Sequence, residues 1–263
     1  MTEQPSSSSS PSNHSPTKLQ FPRQVGIGNA LQWVNRGTEL FRLAPGPWAM
    51  TMVLWFVIIL LSRLVPVVGL VMDAFLSQVF VAGLFLGCHA QHLGAKFNQN
   101  FLFAGFSRQL RSLVFLSILV MVIDLLASLF VFSDVYWELL IPRSEPSAEA
   151  QSLLNDQTQL VSLMMQVLLI LMPVKILLMF APGLIIVHGL SVTQAVQLSA
   201  IACLRNVPTL LFYALILMSL GVLVVFTFGI ALLAILPIYL ASIYAAYRDI
   251  FIYSPTSEGT IEA

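Results

Sequence analysis

The run VPTLLFYALILMSLGVLVVFTFGIALLAILPIYLASIYAAY, Val207 to Tyr247, contains no Asp, Glu, Lys or Arg. As one continuous helix at 1.5 Å per residue it would reach about 60 Å, twice the roughly 30 Å hydrocarbon core of a bilayer. It must turn back on itself, and FTFGI around Gly229 is the place for the reversal. The result is a pair of antiparallel spans, and the fold class follows: an all-α membrane protein that crosses the bilayer repeatedly.

Working outward, four more segments meet the requirement of about 20 predominantly apolar residues. They are Trp48 to Val68, Ala74 to Leu93, Ser112 to Ser133 and Leu160 to Val187, and with Val207 to Phe228 and Ile230 to Tyr247 they predict six transmembrane helices. The first pair is expected to turn at VPVVG, with Pro66 and Gly69 breaking the helix. Composition agrees: of 263 residues, 58% are hydrophobic and 9% charged. A soluble domain needs roughly a quarter or more of its surface charged, which this chain cannot supply. The formal net charge is zero, so no global basic field gathers nucleic acid, and no nucleic-acid partner is expected.

The ends read differently from the middle. Residues 1–25 are Ser- and Pro-rich at the outset and lack the apolar core of a signal peptide, so they are expected to be a disordered tail. A second short tail is expected over 254–263, leaving 26–253 as the transmembrane domain. Orientation follows the placement of Lys and Arg in short loops. With the N-terminus inside, Lys18, Arg23, Arg36, Arg42, Lys96, Arg108, Arg111, Arg205 and Arg248 are all cytoplasmic, and Arg143 alone is exported. Both termini are then cytoplasmic, and the acidic segment 134–158 is the exported loop. Cys88 and Cys203 fall on the cytoplasmic side, which predicts reduced thiols.

An internal repeat is also visible. The second halves of the three returning spans, FVAGLFLGCH from Phe80, FAPGLIIVHG from Phe180 and YLASIYAAYR from Tyr239, share an aromatic start and small residues after it. Small residues let helices approach closely where lipid supplies no hydrophobic drive. Gly83, Gly87, Gly183, Ala241 and Ala245 are the expected packing positions. Before each outgoing span stands an amphipathic segment closed by arginine: NALQWVNRGTELFRLAP, NQNFLFAGFSRQLR and SVTQAVQLSAIACLRNVP. Such segments suit helices lying among the headgroups, with Arg42, Arg108, Arg111, Arg205 and Arg248 toward anionic lipid. The unit is an interfacial helix and two spans, repeated in parallel over 27–94, 95–190 and 191–252.

The blocks GNALQWVNRGTELFRLAPGPW, FVAGLFLGCHAQHLGAKFNQNFLFAGF, FAPGLIIVHGLSVTQAVQLSAIACLRN and YAAYRDIF together resemble a family of uncharacterised bacterial inner-membrane proteins, a domain of unknown function, over about residues 26–253. The resemblance implies six spans and an inner-membrane location, and carries no catalytic or ligand residue. The layout of interfacial helices is also similar to the membrane portions attached to some glycerophosphodiesterases, although no phosphodiesterase segment is read in this chain.

Within the spans two charges stand out, Asp124 and Lys175. Each lies about 12 residues from the cytoplasmic end of its helix, roughly 18 Å deep. An unpaired charge at the bilayer centre costs on the order of 2.5–3.5 kcal/mol on insertion scales, so the two are expected to face each other. Pro173 and Pro182 flank Lys175 and free carbonyls that could line a polar pocket. Arg63 is expected to meet Asp73 or reach the headgroups. His89, His92 and His188, with Cys88 and Cys203, have ligand chemistry for zinc or copper, and His89 with His92 at i, i+3 can share a helix face, but imidazoles at a membrane interface usually satisfy themselves with water and headgroups, so no metal is expected. Neither G-x-S-x-G nor a phosphate-binding glycine loop occurs, so no cofactor and no soluble-type active site are expected. The leading expectation is a non-enzymatic protein that organises membrane components through lipids and other membrane proteins. A small transporter or channel using Asp124 and Lys175 is the alternative. An intramembrane lipid-modifying enzyme is the second, and it would need more polar groups at one depth than that pair.

Overall fold

The structure is a computed structural model and describes residues 19–132, 135, 138 and 147–252. Residues 1–18 and 253–263, and the first part of the expected exported loop 134–158, up to 146 apart from 135 and 138, lie outside the described residues. The elements in chain order are α1 (Asn29–Leu43), α2 (Pro45–Ser62), α3 (Pro66–His92), a 3-10 segment (Gln99–Phe103), α4 (Ala104–Ser107), α5 (Leu110–Phe132), α6 (Ala148–Asn155), α7 (Gln157–Leu178), α8 (Ala181–His188), α9 (Val192–Arg205), α10 (Val207–Phe226) and α11 (Leu232–Phe251). Among the described residues six stretches are long and apolar enough to cross a membrane: α2, α3 from Val71, α5, α7 with α8, α10 and α11. The chain is an all-α, multi-pass membrane protein.

The ends of these helices follow from local chemistry. Proline opens α2, α3 and α10, where its missing N–H is no loss. Asp156 caps α7 by accepting from the backbone N–H groups of Thr158 and Gln159. Ser191 and Gln194 form a reciprocal capping box on α9. Gly189 closes α8 in the left-handed region at φ 66°. The expected reversal at FTFGI is present, with Phe228 and Gly229 at φ 50° and 88°. The first turn differs in detail: α3 begins at Pro66, and Gly69 sits inside that helix, where a Cβ would run into the Ser62 carbonyl. Gly69 therefore permits a close approach rather than breaking the helix.

The three returning spans form the core and the three outgoing spans surround them. Half of the α3 window, 44% of α7 with α8 and 61% of α11 are buried, against 17%, 22% and 17% for α2, α5 and α10. Phe85 of α3 lies at the centre: its ring is where a Cβ on Gly183 of α8 would go, and it packs edge-on against Tyr244 and Tyr247 of α11. Phe180 and Phe251 close the α8–α11 side at 5.7 Å between ring centroids.

The short helical elements that precede the three outgoing spans each pack on a returning span. The 3-10 segment and α4 pack on α3, α9 packs on α7 and α8, and α1 packs on α11, which closes the ring. Each seat is tight for a stated reason. Gly83 lies under the Phe101 and Leu102 carbonyls, and Gly105 lies against the Val79 carbonyl. Gly37 of α1 leaves no room for a Cβ, because the Ile238 carbonyl and the Ser242 backbone nitrogen would each stand 2.7 Å from it. Under α9, the Ser199 hydroxyl donates to the Leu177 carbonyl at 2.6 Å and accepts from the Phe180 N–H, while Cys203 Sγ donates to the Ile176 carbonyl. These contacts serve the break between α7 and α8, where Pro182 has no N–H to continue the helix.

The expectation of a disordered tail through residue 25 is corrected for its last part. Residues 19–25 are fastened to the end of α11, with Gln20 N–H donating to the Phe251 carbonyl and Arg23 N–H to the Ile250 carbonyl. Composition pointed to disorder, but specific long-range partners at the bundle end satisfy this backbone.

Candidate functional site

Arg36, Arg42, Lys96, Arg108, Arg111, Arg205 and Arg248 belong to the interfacial elements or the helix ends beside them, which defines a basic end of the bundle. Here α1, α3 and α11 enclose a pocket of about 330 Å³ lined by Arg36, Glu39, Leu40, Leu43, Gln91, His92, Tyr244, Ala245 and Arg248. Its walls are fixed by bonds between elements. Gln91 donates to the Leu40 carbonyl at 2.8 Å and accepts from Trp48 Nε1 at 3.3 Å, tying α3 to α1 and α2. Arg248 Nη1 donates to His92 Nδ1 at 2.8 Å. A guanidinium cannot accept, so Nδ1 is the acceptor and the ring proton of the neutral imidazole sits on Nε2.

Behind Tyr244 lies a second polar group. The Tyr244 hydroxyl and His89 Nδ1 are 3.1 Å apart, and His188 packs on Tyr247 with ring centroids 6.2 Å apart. His188 Nε2 and the Tyr247 hydroxyl are buried without a hydrogen-bond partner among the described residues. The returning spans of all three units thus bring His89, His188, Tyr244 and Tyr247 together near the basic end.

Beside the pocket, the N-terminal segment is fastened to the bundle by Asp249 and Asn206. Asp249 accepts from Arg23 Nη2 at 2.5 Å, Asn29 Nδ2 at 2.8 Å and Trp33 Nε1 at 2.9 Å. Asn206 accepts from Val25 N–H and donates to the Arg23 and Ala202 carbonyls. Arg205 donates to the Pro22 carbonyl, and its guanidinium lies 4.6 Å from the Phe21 ring centroid. A buried carboxylate with three donors is satisfied in a way that a lone one is not.

In mid-span, Lys175 Nζ lies 2.7 Å from Asp124 Oδ2, joining α7 to α5, while Asp124 Oδ1 has no partner among the described residues. Lys175 also borders a groove of about 230 Å³ with Met172, Ile176, Met179, Leu210, Tyr213, Ala214, Leu217 and Tyr239. A second groove of about 360 Å³ continues along Leu169, Pro173, Leu177, Cys203, Leu204 and Val207, and both run between α7 and α10. The polar pocket expected from Pro173 and Pro182 is instead an apolar groove: Pro173 is accommodated inside α7, and the carbonyls near Pro182 are taken by Ser199 and Cys203.

Other residues singled out in the sequence fall as follows. Arg63 Nε meets Asp73 Oδ2 at 2.6 Å, and Ser62 donates to the same carboxylate. His89 and His92 bond to different side chains, Tyr244 and Arg248, His188 only packs its ring on Tyr247, and among the described residues no group of three His, Cys, Asp or Glu side chains could hold a metal. Gly87 lies against the Phe97 and Phe101 rings, and Ala241 and Ala245 are buried in α11. Arg42, Arg108 and Arg111 are exposed, Arg111 lying 6.0 Å from the Phe115 ring centroid. Burial pushes the Cys203 thiol up to about 12. Sequence reading missed Asp249, Asn206 and Gly37. The available signal was an acid and an amide, each beside an arginine, at the ends of otherwise apolar helices. No family model, curated protein or solved structure matches this chain.

Proposed function

We propose that the protein is a non-enzymatic multi-pass protein of the bacterial inner membrane, with both termini cytoplasmic, that organises membrane components by holding lipid and other membrane proteins. The observation that carries this reading is where polar chemistry is spent and where it is not. The mid-span charges are turned on each other at 2.7 Å beside an apolar groove, an arrangement that suits a fixed helix register better than a conducting path. Unspent donors gather at the basic end, at the level of headgroups. The positive-inside distribution supports the cytoplasmic placement of that end.

Extraction of the full chain in mild detergent, followed by identification of retained lipids and proteins, tests the role. Specific retention of anionic lipid or of a defined membrane protein is expected. Proton or ion flux in proteoliposomes that is lost on Asp124→Asn would overturn it. Reporters fused after Asn98 and after Ser147 test orientation, with the first expected inside and the second outside.

A further inference from the structure

The geometry points to the pocket between α1, α3 and α11 as a binding site for the phosphate of an anionic phospholipid, an inference that rests on the lipid-holding role proposed above. The pocket offers Arg36, Arg248 and His92 as donors. Arg248 spends one N–H on His92 Nδ1, and the remaining guanidinium protons stay available. The same bond leaves the proton of neutral His92 on Nε2, so the imidazole also presents a donor. Arg36 is exposed on α1, with its guanidinium free to turn into the pocket it lines. Two guanidinium forks and an imidazole N–H suit the several acceptor oxygens of a phosphodiester, a geometry arginine matches better than lysine does.

The walls favour a lipid over a free anion. Leu40, Leu43 and Ala245 line the same pocket, so an occupant must present carbon as well as phosphate. A neighbouring pocket of about 470 Å³ shares Leu43 and Gln91 and adds Pro47, Lys96 and Phe97. It provides apolar surface for the glycerol and the start of the acyl chains, together with one more cation. The volume of about 330 Å³ equals roughly ten waters, enough for a phosphodiester carrying a short polar alcohol. The pocket is not ideal for an anion, because Glu39 also lines it. That carboxylate makes the inference testable in both directions, since removing it should strengthen phosphate binding while removing a cation should weaken it.

The experiment measures binding of short-chain phosphatidylglycerol to the purified full chain in neutral detergent, by native mass spectrometry and by thermal shift. Short-chain phosphatidylcholine, inorganic phosphate and a polyglutamate peptide serve as the other probes. Phosphatidylglycerol is expected to bind about tenfold or more tightly than each of these. Arg36→Gln and Arg248→Gln should each weaken it by about 5–10-fold, and Glu39→Gln should tighten it by about 2–5-fold, the range of single charge-assisted contacts in partly screened sites. Arg36 and Glu39 are exposed, so their variants test the site even if Arg248→Gln fails to fold. Equal affinity for inorganic phosphate would make this a soluble-anion site and overturn the lipid assignment. Tighter peptide binding would make it a protein-docking site and overturn that assignment as well. Phosphatidylglycerol affinity indifferent to all three substitutions would overturn the pocket while leaving the organising role standing. Flux through Asp124 would overturn that role and leave the pocket in place.

Discussion

The ion pair between α5 and α7 can be dismantled one charge at a time. Asp124 lies 14 residues into α5 from Leu110, and Lys175 lies 13 residues before the end of α8 at His188. At 1.5 Å per residue both are about 20 Å from the basic end, well inside a hydrocarbon core of roughly 30 Å. Asp124→Leu strands an ammonium and Lys175→Met strands a carboxylate. An unpaired charge at the bilayer centre costs on the order of 2.5–3.5 kcal/mol, partly relieved by snorkelling. The Lys175 and Asp124 side chains are 45% and 34% exposed at the protein surface, so such relief is available, and about 2 kcal/mol per single variant is the expected loss. At roughly 2–4 °C per kcal/mol for a chain of this size, that is about 4–8 °C in melting temperature.

The double variant should recover most of this loss. It leaves no ion in the span, and it also removes Asp124 Oδ1, which has no partner among the described residues. Cys88 and Cys203 are both buried, so a thiol-reactive fluorophore added to the detergent-solubilised chain reports unfolding directly. Non-additivity of about 2 kcal/mol or more between the singles and the double is the expected result. Additive losses would refute the reasoning, because they would mean that the two charges are stabilised by different neighbours.

Three other substitutions or measurements follow from the packing. Gly37→Ala should lower the melting temperature by several degrees, since overpacking against backbone costs about 1–3 kcal/mol, whereas Gly221→Ala, whose Cβ would meet nothing within 4 Å, should leave it unchanged. Asp249→Ala leaves the donors of Asn29 and Trp33 unanswered at the seat of α1, and it should cost about 1–3 kcal/mol and expose residues 19–25 to protease in limited digestion. The folded-state value of Cys203 lies above its ordinary 9.0, so the stability it contributes is fully present below pH 9 and lost as pH rises toward about 12. Alkylation of native Cys203 at pH 8 should therefore be at least tenfold slower than in the denatured chain, and equal rates would show that its burial is not maintained.

What the sequence made legible is what bilayer physics enforces residue by residue. A charge-free run must span, a run twice too long must turn, and two lone charges at matched depth mark one level of the bundle. Less visible was anything that depends on which elements meet. The fourth span breaks at Met179 and Phe180, yet that site depends on Ser199 and Cys203 of α9 arriving beneath the freed carbonyls. Leu19 to Val25 read as tail because their backbone partners, Phe251, Ile250 and Asn206, lie more than 180 residues away. Gly37 was passed over because its need for a missing Cβ arises only against the backbone of α11. The same limit applied to the basic-end pocket: Arg248 was legible as an interfacial cation, but Arg36 and Glu39 become its neighbours only once α1 closes onto α11, and His92 only once α3 does.

That closure also locates the asymmetry of the bundle. Each outgoing span has two inner neighbours by the logic of the repeat, its own returning span and that of the preceding unit. This holds for α2, which packs on α3 and α11, and for α5, which packs on α7 and on α3. The third outgoing span departs from it: α10 packs on α11 and α1, but the grooves bordered by Met172, Ile176, Leu210 and Ala214 separate it from α7. Its buried residues, Thr209, Leu210 and Tyr213, all lie in its first two turns, and beyond them Ile216, Leu217 and Leu220 are only partly buried against the core. On its other side α7 is held by α5, and there the Asp124–Lys175 pair supplies a polar tie in mid-span. A charge pair in mid-span thus stands in the unit whose returning helix is separated by grooves from the outgoing helix α10. A register device is most needed where packing alone determines position least.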